Sequence, residues 1–211
     1  MKEYHKIETL FERDEKTKKL IMGKFRNPTI EYLKDCKWQF TEKVDGTNIR
    51  IHWDGHKVNF AGRTDKAEIP KHLKERLEEL FGGDANEQIF EQYFGENEVV
   101  LFGEGYGYKI QTNGYIDGVD FILFDVLIGD NYQARENVET IANYFGLSVV
   151  PIVMEGTLQE GIDWVLNNRK SIIAKNGADI EGLVARPIQE LKTRSGARVI
   201  VKIKYKDFFN H

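Results

Sequence analysis

The sequence predicts an α+β fold in which antiparallel sheets are flanked by helices. Short segments of alternating polarity recur along the chain and are separated by glycine-containing turns, which is typical of antiparallel strands. Amphipathic segments of helical period interrupt them, as in residues 70–81 and 135–145. No repeat and no low-complexity linker marks a boundary, so we expect one domain over residues 1–211.

Composition narrows the class of protein before any motif is considered. No apolar run approaches the length of a membrane span, and the N-terminus lacks the apolar core of a secretory signal. A single cysteine, Cys36, excludes an internal disulfide and a multi-cysteine metal site. We therefore expect a cytoplasmic protein that binds no membrane. The net charge of -4 argues against non-specific binding of nucleic acid by the whole surface, but residues 192–206 form a local basic stretch.

The elements can be assigned in chain order. Residues 1–37 are charged and mixed, and they predict a turn before Pro28 but no chemistry. Two Asp-Gly pairs, at Asp45 and Asp54, predict hairpin turns that join the first three strands into a meander. The predicted strands are residues 38–43, 47–53, 57–61, 98–102, 119–127, 147–153, 180–186 and 198–205. The predicted helices are residues 70–81, 87–94, 135–145 and 158–174.

Charged residues lie on, or at the ends of, strands that are otherwise apolar. These residues are Lys43, Glu104, Asp125, Glu181, Lys202 and Lys204. Burial of a charge is costly unless the charge is paired or binds a ligand. One such residue is usually a structural ion pair, whereas several strands that each contribute one predict a polar cleft lined by strand ends. Lysines neutralise phosphate and carboxylates hold a divalent metal, so this mixture favours a phosphorylated ligand with a metal ion.

Two common nucleotide-binding patterns are absent. No Gly-x-x-x-x-Gly-Lys-Ser/Thr sequence occurs, which excludes a P-loop of the usual kind. The glycines at 103, 105 and 107 have the wrong spacing for a dinucleotide fold, and no helical pattern follows them. The segment Lys43-Val44-Asp45-Gly46 is by itself a weak signal, because most Asp-Gly pairs are simple hairpin turns.

Five short motifs in order give the chain a resemblance to a known superfamily. They are Lys43-Val44-Asp45-Gly46, Phe102-Gly103-Glu104, Phe121-Ile122-Leu123-Phe124-Asp125-Val126, Glu181-Gly182-Leu183-Val184 and Val201-Lys202-Ile203-Lys204. As an ordered set they resemble the motifs of the covalent nucleotidyltransferases, which comprise RNA ligases, DNA ligases and mRNA capping enzymes. The resemblance spans roughly residues 38–206, and Asn48 with Gly62-Arg63 makes it most similar to the phage RNA ligase 2-like branch.

The resemblance implies an ATP-grasp-like nucleotidyltransferase fold with a nucleotide cleft, and it implies ATP and Mg²⁺ or Mn²⁺ as cofactors. Lys43 would be the nucleophile that forms a lysyl-N–AMP bond. Lys202 and Lys204 would contact the α-phosphate. Phe124 would stack on adenine. The proposed role of Lys43 is consistent with the presence of Lys202 and Lys204. A protonated lysine is not a nucleophile, and nearby positive charge favours its neutral form.

Further site residues follow from the same resemblance. Glu104 would contact the sugar of the nucleotide. The remaining nucleotide contacts would come from Glu42, Asn48 and Arg63. The metal would be held by Glu181, with Glu104 and Asp45 as further ligands.

The implied function is that of an ATP-dependent polynucleotide ligase, and specifically an RNA ligase for RNA repair. Lys43 would take AMP from ATP, AMP would pass to a 5′-phosphate, and a 3′-hydroxyl would then displace it. The partners would be RNA ends or a nicked duplex, bound through residues 192–206 by a monomeric enzyme in the cytoplasm (the host cytoplasm if the protein is viral). Since the chain ends soon after the last motif, we expect an adenylation domain with no C-terminal accessory or oligonucleotide-binding barrel domain.

Three alternatives stay open at this point. The chain could be a minimal DNA ligase or a capping-type guanylyltransferase, because both share these motifs. A non-catalytic nucleotide-binding module is the alternative of another class. No residue of the sequence distinguishes RNA from DNA as the substrate strand, or adenine from guanine as the base.

Overall fold

The computed structural model describes residues 1–111 and 114–208. The chain divides into two compact units, and each draws on two stretches of sequence. Unit 1 contains Met1–His5 and Asp45–Val150, and unit 2 contains Lys6–Val44 and Pro151–His211. The chain therefore passes from unit 2 to unit 1 directly after Lys43-Val44. A single functional domain over residues 1–211 stays a prediction.

Thirteen strands and five α-helices are present in the described residues. The strands are β1 (Glu8–Thr9), β2 (Phe11–Arg13), β3 (Leu20–Phe25), β4 (Trp38–Lys43), β5 (Thr47–Trp53), β6 (Val58–Ala61), β7 (Val99–Gly107), β8 (Val119–Ile128), β9 (Asn131–Tyr132), β10 (Ser148–Val149), β11 (Ile152–Gly156), β12 (Gly182–Pro187) and β13 (Val201–Lys204). The helices are α1 (Pro28–Tyr32), α2 (Lys71–Phe81), α3 (Asp84–Phe94), α4 (Arg135–Phe145) and α5 (Leu158–Asn167), and a 3₁₀ turn follows at Tyr205–Phe208. None of the helices in the described ranges has the length and apolar character needed to cross a membrane.

Unit 1 is a mainly antiparallel sheet covered on one face by helices. Its strand order is β10-β8-β7-β5-β6, with β9 also paired to β8, and only the short edge strand β10 runs parallel to its neighbour. Alternate residues of β5, namely Ile49, Ile51 and Trp53, are buried against side chains of α2, α3 and α4. The opposite face of β5 therefore carries Asn48 and Arg50.

Unit 2 is a five-stranded sheet in the order β1-β13-β12-β4-β11, accompanied by the hairpin β2-β3. Its core contains Trp38 and Phe40 from β4, Val201 and Ile203 from β13, and apolar residues of α5 such as Ile162. The predicted alternation of residues 198–205 is confirmed within β13, where Val201 and Ile203 are buried and the lysines between and after them are half-buried.

The α+β prediction with antiparallel sheets is confirmed, but the predicted meander is wrong at its first step. β4 and β5 lie in different sheets, so Asp45-Gly46 is not a hairpin turn. β4 is already paired on both sides, with β12 and β11, and has no free edge for β5. The hairpin at Asp54-Gly55 is as predicted, because β5 pairs with β6 there.

Two other predicted elements are shorter or divided. The helix predicted over residues 158–174 ends at Asn167, where the side chains of Asn167 and Asn168 donate hydrogen bonds to carbonyls one turn earlier. The strand predicted over residues 147–153 is split at Pro151, which has no backbone N–H to donate. Its first half pairs with β8 in unit 1, and its second half pairs with β4 in unit 2.

Candidate active site

Lys43 is positioned by the pairing of three strands in unit 2. Gly182 on β12 lies opposite Lys43 of β4 on one side and opposite Lys204 of β13 on the other. A Cβ atom at Gly182 would come within 2.0 Å of the Ile203 carbonyl oxygen, so only glycine allows this approach of the strands. Glu181 directly precedes this glycine. Gly182 therefore brings the two strands that carry the lysines beside the segment that carries Glu181.

The side chains complete this arrangement as a compact ion-pair triad. The Nζ atom of Lys43 lies 2.6 Å from Oε2 of Glu181, and the Nζ atom of Lys204 lies 2.8 Å from Oε1. The exposed fractions of the three side chains are 23% for Lys43, 14% for Glu181 and 21% for Lys204. The triad is thus largely shielded from water, and its electrostatic interactions are stronger than those of a surface pair.

The charges of the triad determine the state of Glu181. Burial by itself raises the pKa of this carboxyl, but the charges and hydrogen bonds of Lys43 and Lys204 outweigh burial and hold the pKa below its usual range. Glu181 is therefore ionised at neutral pH. Lys202 lies on the same face of β13 as Lys204, since the two are separated by one residue. Within the triad, two lysines against one carboxylate leave a net positive charge, which favours an anionic ligand.

Glu42, the residue before Lys43, points to the opposite face of β4 and is almost completely buried. Its Oε1 atom accepts a short hydrogen bond from the Ser171 hydroxyl, and its Oε2 atom accepts one of 2.9 Å from the Ile172 N–H. Burial raises the pKa of Glu42, and the hydrogen bonds oppose that shift in part. Both carboxylate oxygens are thus bound by the chain. The predicted contact of Glu42 with a nucleotide stays a prediction.

In unit 1, the turn after Lys43-Val44 is held in place by its neighbours. The Asp45 N–H donates to the phenolic oxygen of the buried Tyr115 at 3.3 Å, and Gln111 donates to the Gly46 carbonyl at 3.2 Å. A Cβ atom at Gly46 would lie 2.4 Å from the Gly105 carbonyl oxygen and 2.6 Å from Cγ of Glu104. Glycine is required here because the backbone passes directly against Glu104.

Asn48 and Glu104 face each other across β5 and β7 in unit 1. Within residues 1–111 and 114–208, the Oδ1 atom of Asn48 is buried and has no hydrogen-bond donor. A buried acceptor without a donor is costly, and this oxygen is therefore suited to accept a hydrogen bond from a bound molecule.

Phe124 occupies a special backbone position on β8. Phe102 pairs with Asp125 and Gly103 pairs with Leu123, so Phe124 is the extra residue of a β-bulge. The adjacent Asp125 is fully buried and accepts a hydrogen bond of 2.8 Å from the Tyr4 hydroxyl. The Tyr4 ring also packs edge-on against Phe124, with the ring centroids 5.1 Å apart. The half-buried Phe124 ring is thus fixed from one side by the N-terminal segment.

The remaining predicted residues are less closely assembled. Arg63 is exposed on the loop that follows β6. No group of three or more His, Cys, Asp or Glu side chains in the described parts of the chain is arranged to hold a metal ion. The predicted metal ligands Glu181, Glu104 and Asp45 therefore stay a prediction.

Several residues of this region are not predicted by the sequence patterns. Ser171 lies in a segment whose pattern predicts a helix, and Tyr4 lies in a segment whose composition predicts no chemistry. Tyr115 and Gln111 belong to the stretch between the second and third motifs. Each acts through contacts that are distant in sequence, and none of them belongs to a pattern with a recognisable spacing.

Comparison with known proteins identifies the family. A sequence model of the family described as RNA ligase matches residues 36–204. No curated protein matches the chain in sequence.

Solved structures of RNA ligase from Naegleria gruberi have a similar fold. The complex with PPi is 22% identical in sequence with a TM-score of 0.63, over 86% of this chain and 53% of that one. A lysine-to-alanine mutant with ATP and Mn gives 21% identity and a TM-score of 0.62, over 85% of this chain and 54% of that one. A lysine-to-methionine mutant with AMP and Mn gives 19% identity and a TM-score of 0.64, over 86% and 53%. The chain thus spans about half the length of these ligases.

These structural matches confirm the predicted nucleotidyltransferase fold. The family match covers most of the chain and all five motifs, from Lys43 to Lys204. The chain belongs to the RNA ligase family.

Proposed function

We propose that the chain carries the adenylyltransferase activity of an ATP-dependent RNA ligase, with Lys43 as the nucleophile. Membership of the RNA ligase family supports this proposal. So do the Naegleria gruberi ligase structures, which were solved with PPi, with ATP and Mn, and with AMP and Mn. The observation that carries the proposal is the triad of Lys43, Glu181 and Lys204, in which a shielded lysine shares a carboxylate with a second lysine.

The first step transfers AMP to the protein. The Nζ atom of Lys43 gives up a proton and attacks the α-phosphorus of ATP, so that an N–P bond forms and the bond from the α-phosphorus to the bridging oxygen breaks. Pyrophosphate leaves, and the nitrogen loses a second proton to give the lysyl–AMP phosphoramidate. Lys202 and Lys204 stabilise the negative charge that develops on the phosphoryl oxygens.

The second and third steps follow from the same chemistry. An oxygen of a 5′-phosphate attacks the phosphorus of lysyl–AMP and forms a 5′–5′ phosphoanhydride. The N–P bond breaks, and the nitrogen of Lys43 takes up a proton as it leaves. A 3′-hydroxyl then attacks the 5′-phosphate phosphorus, loses its proton and displaces AMP. The product is a phosphodiester bond.

Four further side chains are proposed to contact the nucleotide. Phe124 offers an aromatic face at its bulge, as stacking on adenine needs. Asn48 offers a buried oxygen with a free hydrogen-bonding capacity. Glu104 is proposed to bind the sugar, and Arg63 is proposed to bind the sugar or phosphate. The proposed preference for adenine over guanine is inferred only from the resemblance to the family.

The carboxylates proposed to bind a divalent ion meet its coordination requirements only in part. Mg²⁺ usually keeps several waters and takes one or two carboxylates together with phosphate oxygens, so Glu181 can serve as one ligand. Both oxygens of Glu181 are held by lysines, and one ammonium would have to give way to the ion. Glu104 and Asp45 are proposed as further ligands. When bound, Mg²⁺ or Mn²⁺ would supply positive charge to the phosphate groups of ATP.

RNA is proposed to bind along residues 192–206, but not through every basic residue there. Arg198 is held by two hydrogen bonds to Glu190, and Lys204 belongs to the triad. Lys192 and Arg198 face each other in an antiparallel bridge that closes a short hairpin, and Arg194 lies exposed in its turn. Exposed Lys192, Arg194 and Lys206 are therefore the proposed phosphate ligands. Replacement of any one of these side chains by alanine should reduce the slope of log K against log salt by about 0.7 to 0.9.

The biological setting is proposed from the sequence. A lone exposed thiol, Cys36, is suited to the reducing cytoplasm, or the host cytoplasm if the protein is viral. We propose a monomeric RNA repair enzyme of the phage-like branch, in which residues 1–211 act as one adenylation domain.

Incubation with radiolabelled ATP and Mg²⁺ tests the proposal. We expect a protein-bound label that is stable to base and labile to acid, and that is absent from Lys43→Ala. Absence of label with both ATP and GTP would overturn the catalytic proposal and favour a binding module. Label from GTP alone would favour capping chemistry. Sealing of nicks with a DNA 3′-hydroxyl strand, but not with an RNA one, would favour a DNA ligase.

A further inference from the structure

A buried arginine in unit 1, Arg50, has no part in the reaction described above. Its side chain has no exposed surface, and its guanidinium makes three hydrogen bonds in different directions. The Nε atom donates to the Gly62 carbonyl at 2.8 Å, one terminal nitrogen donates to the Met1 carbonyl at 3.0 Å, and the other donates to the Asp65 carboxylate at 2.7 Å. A buried charge is costly unless it is paired and hydrogen-bonded, so this residue requires a physical explanation.

Two of the three acceptors bracket Arg63 on the chain. Gly62 directly precedes Arg63, and Asp65 follows it by two residues, so one guanidinium holds the loop on both sides of Arg63. The loop is also closed by a hydrogen bond of 3.1 Å from the Ala67 N–H to the Thr64 carbonyl. The Arg63 side chain is exposed. The backbone on both sides of it is held by the contacts of Arg50 with Gly62 and Asp65.

The ion pair with Asp65 gives Arg50 little stabilising energy. Asp65 is 67% exposed, and the hydrogen bond and charge of Arg50 lower the pKa of its carboxyl without burying it. Pairs with an exposed partner contribute little to stability, because water and salt screen them. An aliphatic side chain at position 50 would fill the same space without a desolvation cost. What the guanidinium supplies is geometry, since it fixes three backbone or carboxylate oxygens at once.

We propose that Arg50 is a positioning residue that orients the loop carrying Arg63, so that the Arg63 guanidinium meets the anionic part of the nucleotide. This inference depends on the proposed function, because Arg63 is assigned there to the sugar or phosphate. Arg50 acts only through the loop and touches no reacting atom. Positioning of a charged group matters because a displacement of about 1 Å can cost on the order of a hundredfold in rate.

A double-mutant cycle on self-adenylylation tests the proposal. The measured quantity is the second-order rate constant for labelling by ATP, with the apparent KM for ATP determined for each variant. We expect Arg63→Ala to lower the rate constant by about 10- to 100-fold, the range for loss of a hydrogen bond to a charged group. Arg50→Lys keeps the charge but cannot reach three acceptors, and we expect it to lower the rate constant by a comparable factor. In the double variant, the second substitution should lower the rate constant by a further factor of less than about two.

Asp65→Asn provides a milder variant, because Asp65 is exposed and its replacement leaves the buried residues in place. We expect a several-fold rise in the apparent KM for ATP in the wild-type background and no rise in the Arg63→Ala background. Arg135→Lys is the matched control: Arg135 also holds a backbone carbonyl and a carboxylate in unit 1, those of Val150 and Glu139, at 2.9 Å and 2.7 Å. Its effect should multiply with that of Arg63→Ala.

Three outcomes would contradict the inference or its basis. If the effects of Asp65→Asn and Arg63→Ala multiply as those of the control do, Arg50 and Asp65 support only the fold. If the Arg63→Ala variant is labelled at the wild-type rate, Arg63 does not contribute to self-adenylylation. Arg50 then has no functional side chain to position, and the inference is wrong. If wild-type protein takes no label while it is folded, the proposed function fails and the inference fails with it.

Discussion

Replacement of Glu181 by glutamine removes one negative charge and leaves the ammonium groups of Lys43 and Lys204 beside a neutral amide. Both ion pairs are removed, while the size of the side chain is kept. Exposed ion pairs contribute up to about 1 kcal/mol, and loss of one partner of a fully buried pair costs about 3–5 kcal/mol. The triad is 14–23% exposed and lies between these limits. We therefore expect the free energy of unfolding to fall by about 2–3 kcal/mol.

Asp179→Asn is the matched control for this change. Asp179 also accepts from two cations, at 2.9 Å from Arg169 and at 2.9 Å from Lys170, but all three side chains are substantially exposed. We expect its urea denaturation midpoint to be indistinguishable from that of the wild type. The two proteins should also differ in function: Glu181→Gln should lose self-adenylylation by at least about a hundredfold through misplacement of Lys43. Asp179→Asn should label at close to the wild-type rate.

Equal midpoints for Glu181→Gln and Asp179→Asn would refute the energetic reasoning, because the triad would then behave as a surface pair. Full labelling of Glu181→Gln would refute the functional reasoning, because Lys43 would not depend on its carboxylate partner. A stability loss without a labelling loss would show that the triad is structural only. Labelling should therefore be measured at a temperature at which the variant is folded.

The remaining predictions concern backbone fit and the pH dependence of stability. Gly182→Ala should destabilise the protein by about 1–3 kcal/mol through the clash with the Ile203 carbonyl, whereas Gly118→Ala, where a Cβ atom would meet open space, should leave the urea midpoint unchanged or raise it. Ser171→Ala should cost about 1–3 kcal/mol, because Glu42 loses a donor to its buried carboxylate. Since burial raises the pKa of Glu42 in the folded state, and loss of the serine raises it further, the deficit should grow as the pH rises above the ordinary value of 4.5. A deficit that shrinks over that range in urea denaturation at a series of pH values would contradict the assignment. The pKa of Glu181 is instead lowered by its lysines, so the stability difference between wild type and Glu181→Gln should be present above pH 4.5 and disappear as the pH falls below it.

The sequence was informative wherever a local pattern determines the structure. The helical period of residues 70–81 predicted α2, and that of residues 135–145 predicted α4. Alternation in residues 198–205 placed Lys202 and Lys204 on one face of β13. The ordered motifs also named Lys43, Glu181 and Lys204, which the structure brings into contact.

The failures have a common physical cause, which is competition between distant segments. No local sequence pattern predicts that β4 pairs with β12 and β11. The prediction of a hairpin turn at Asp45-Gly46 is wrong because these distant strands occupy both edges of β4. The helix predicted over residues 158–174 extends beyond α5, whereas Ile172 in that range is 61% exposed and its N–H donates to Glu42. The hydrogen bond from Tyr4 to Asp125 spans 121 positions, and no pattern within either segment predicts it.

Peptide mapping of the protein after incubation with ATP and Mg²⁺ tests the central claim most directly. We expect one AMP group, attached to the side-chain nitrogen of Lys43 and released as AMP when a 5′-phosphorylated RNA nick is added. An AMP group on Lys202, Lys204 or any other residue, or a folded protein that carries no AMP, would contradict this claim.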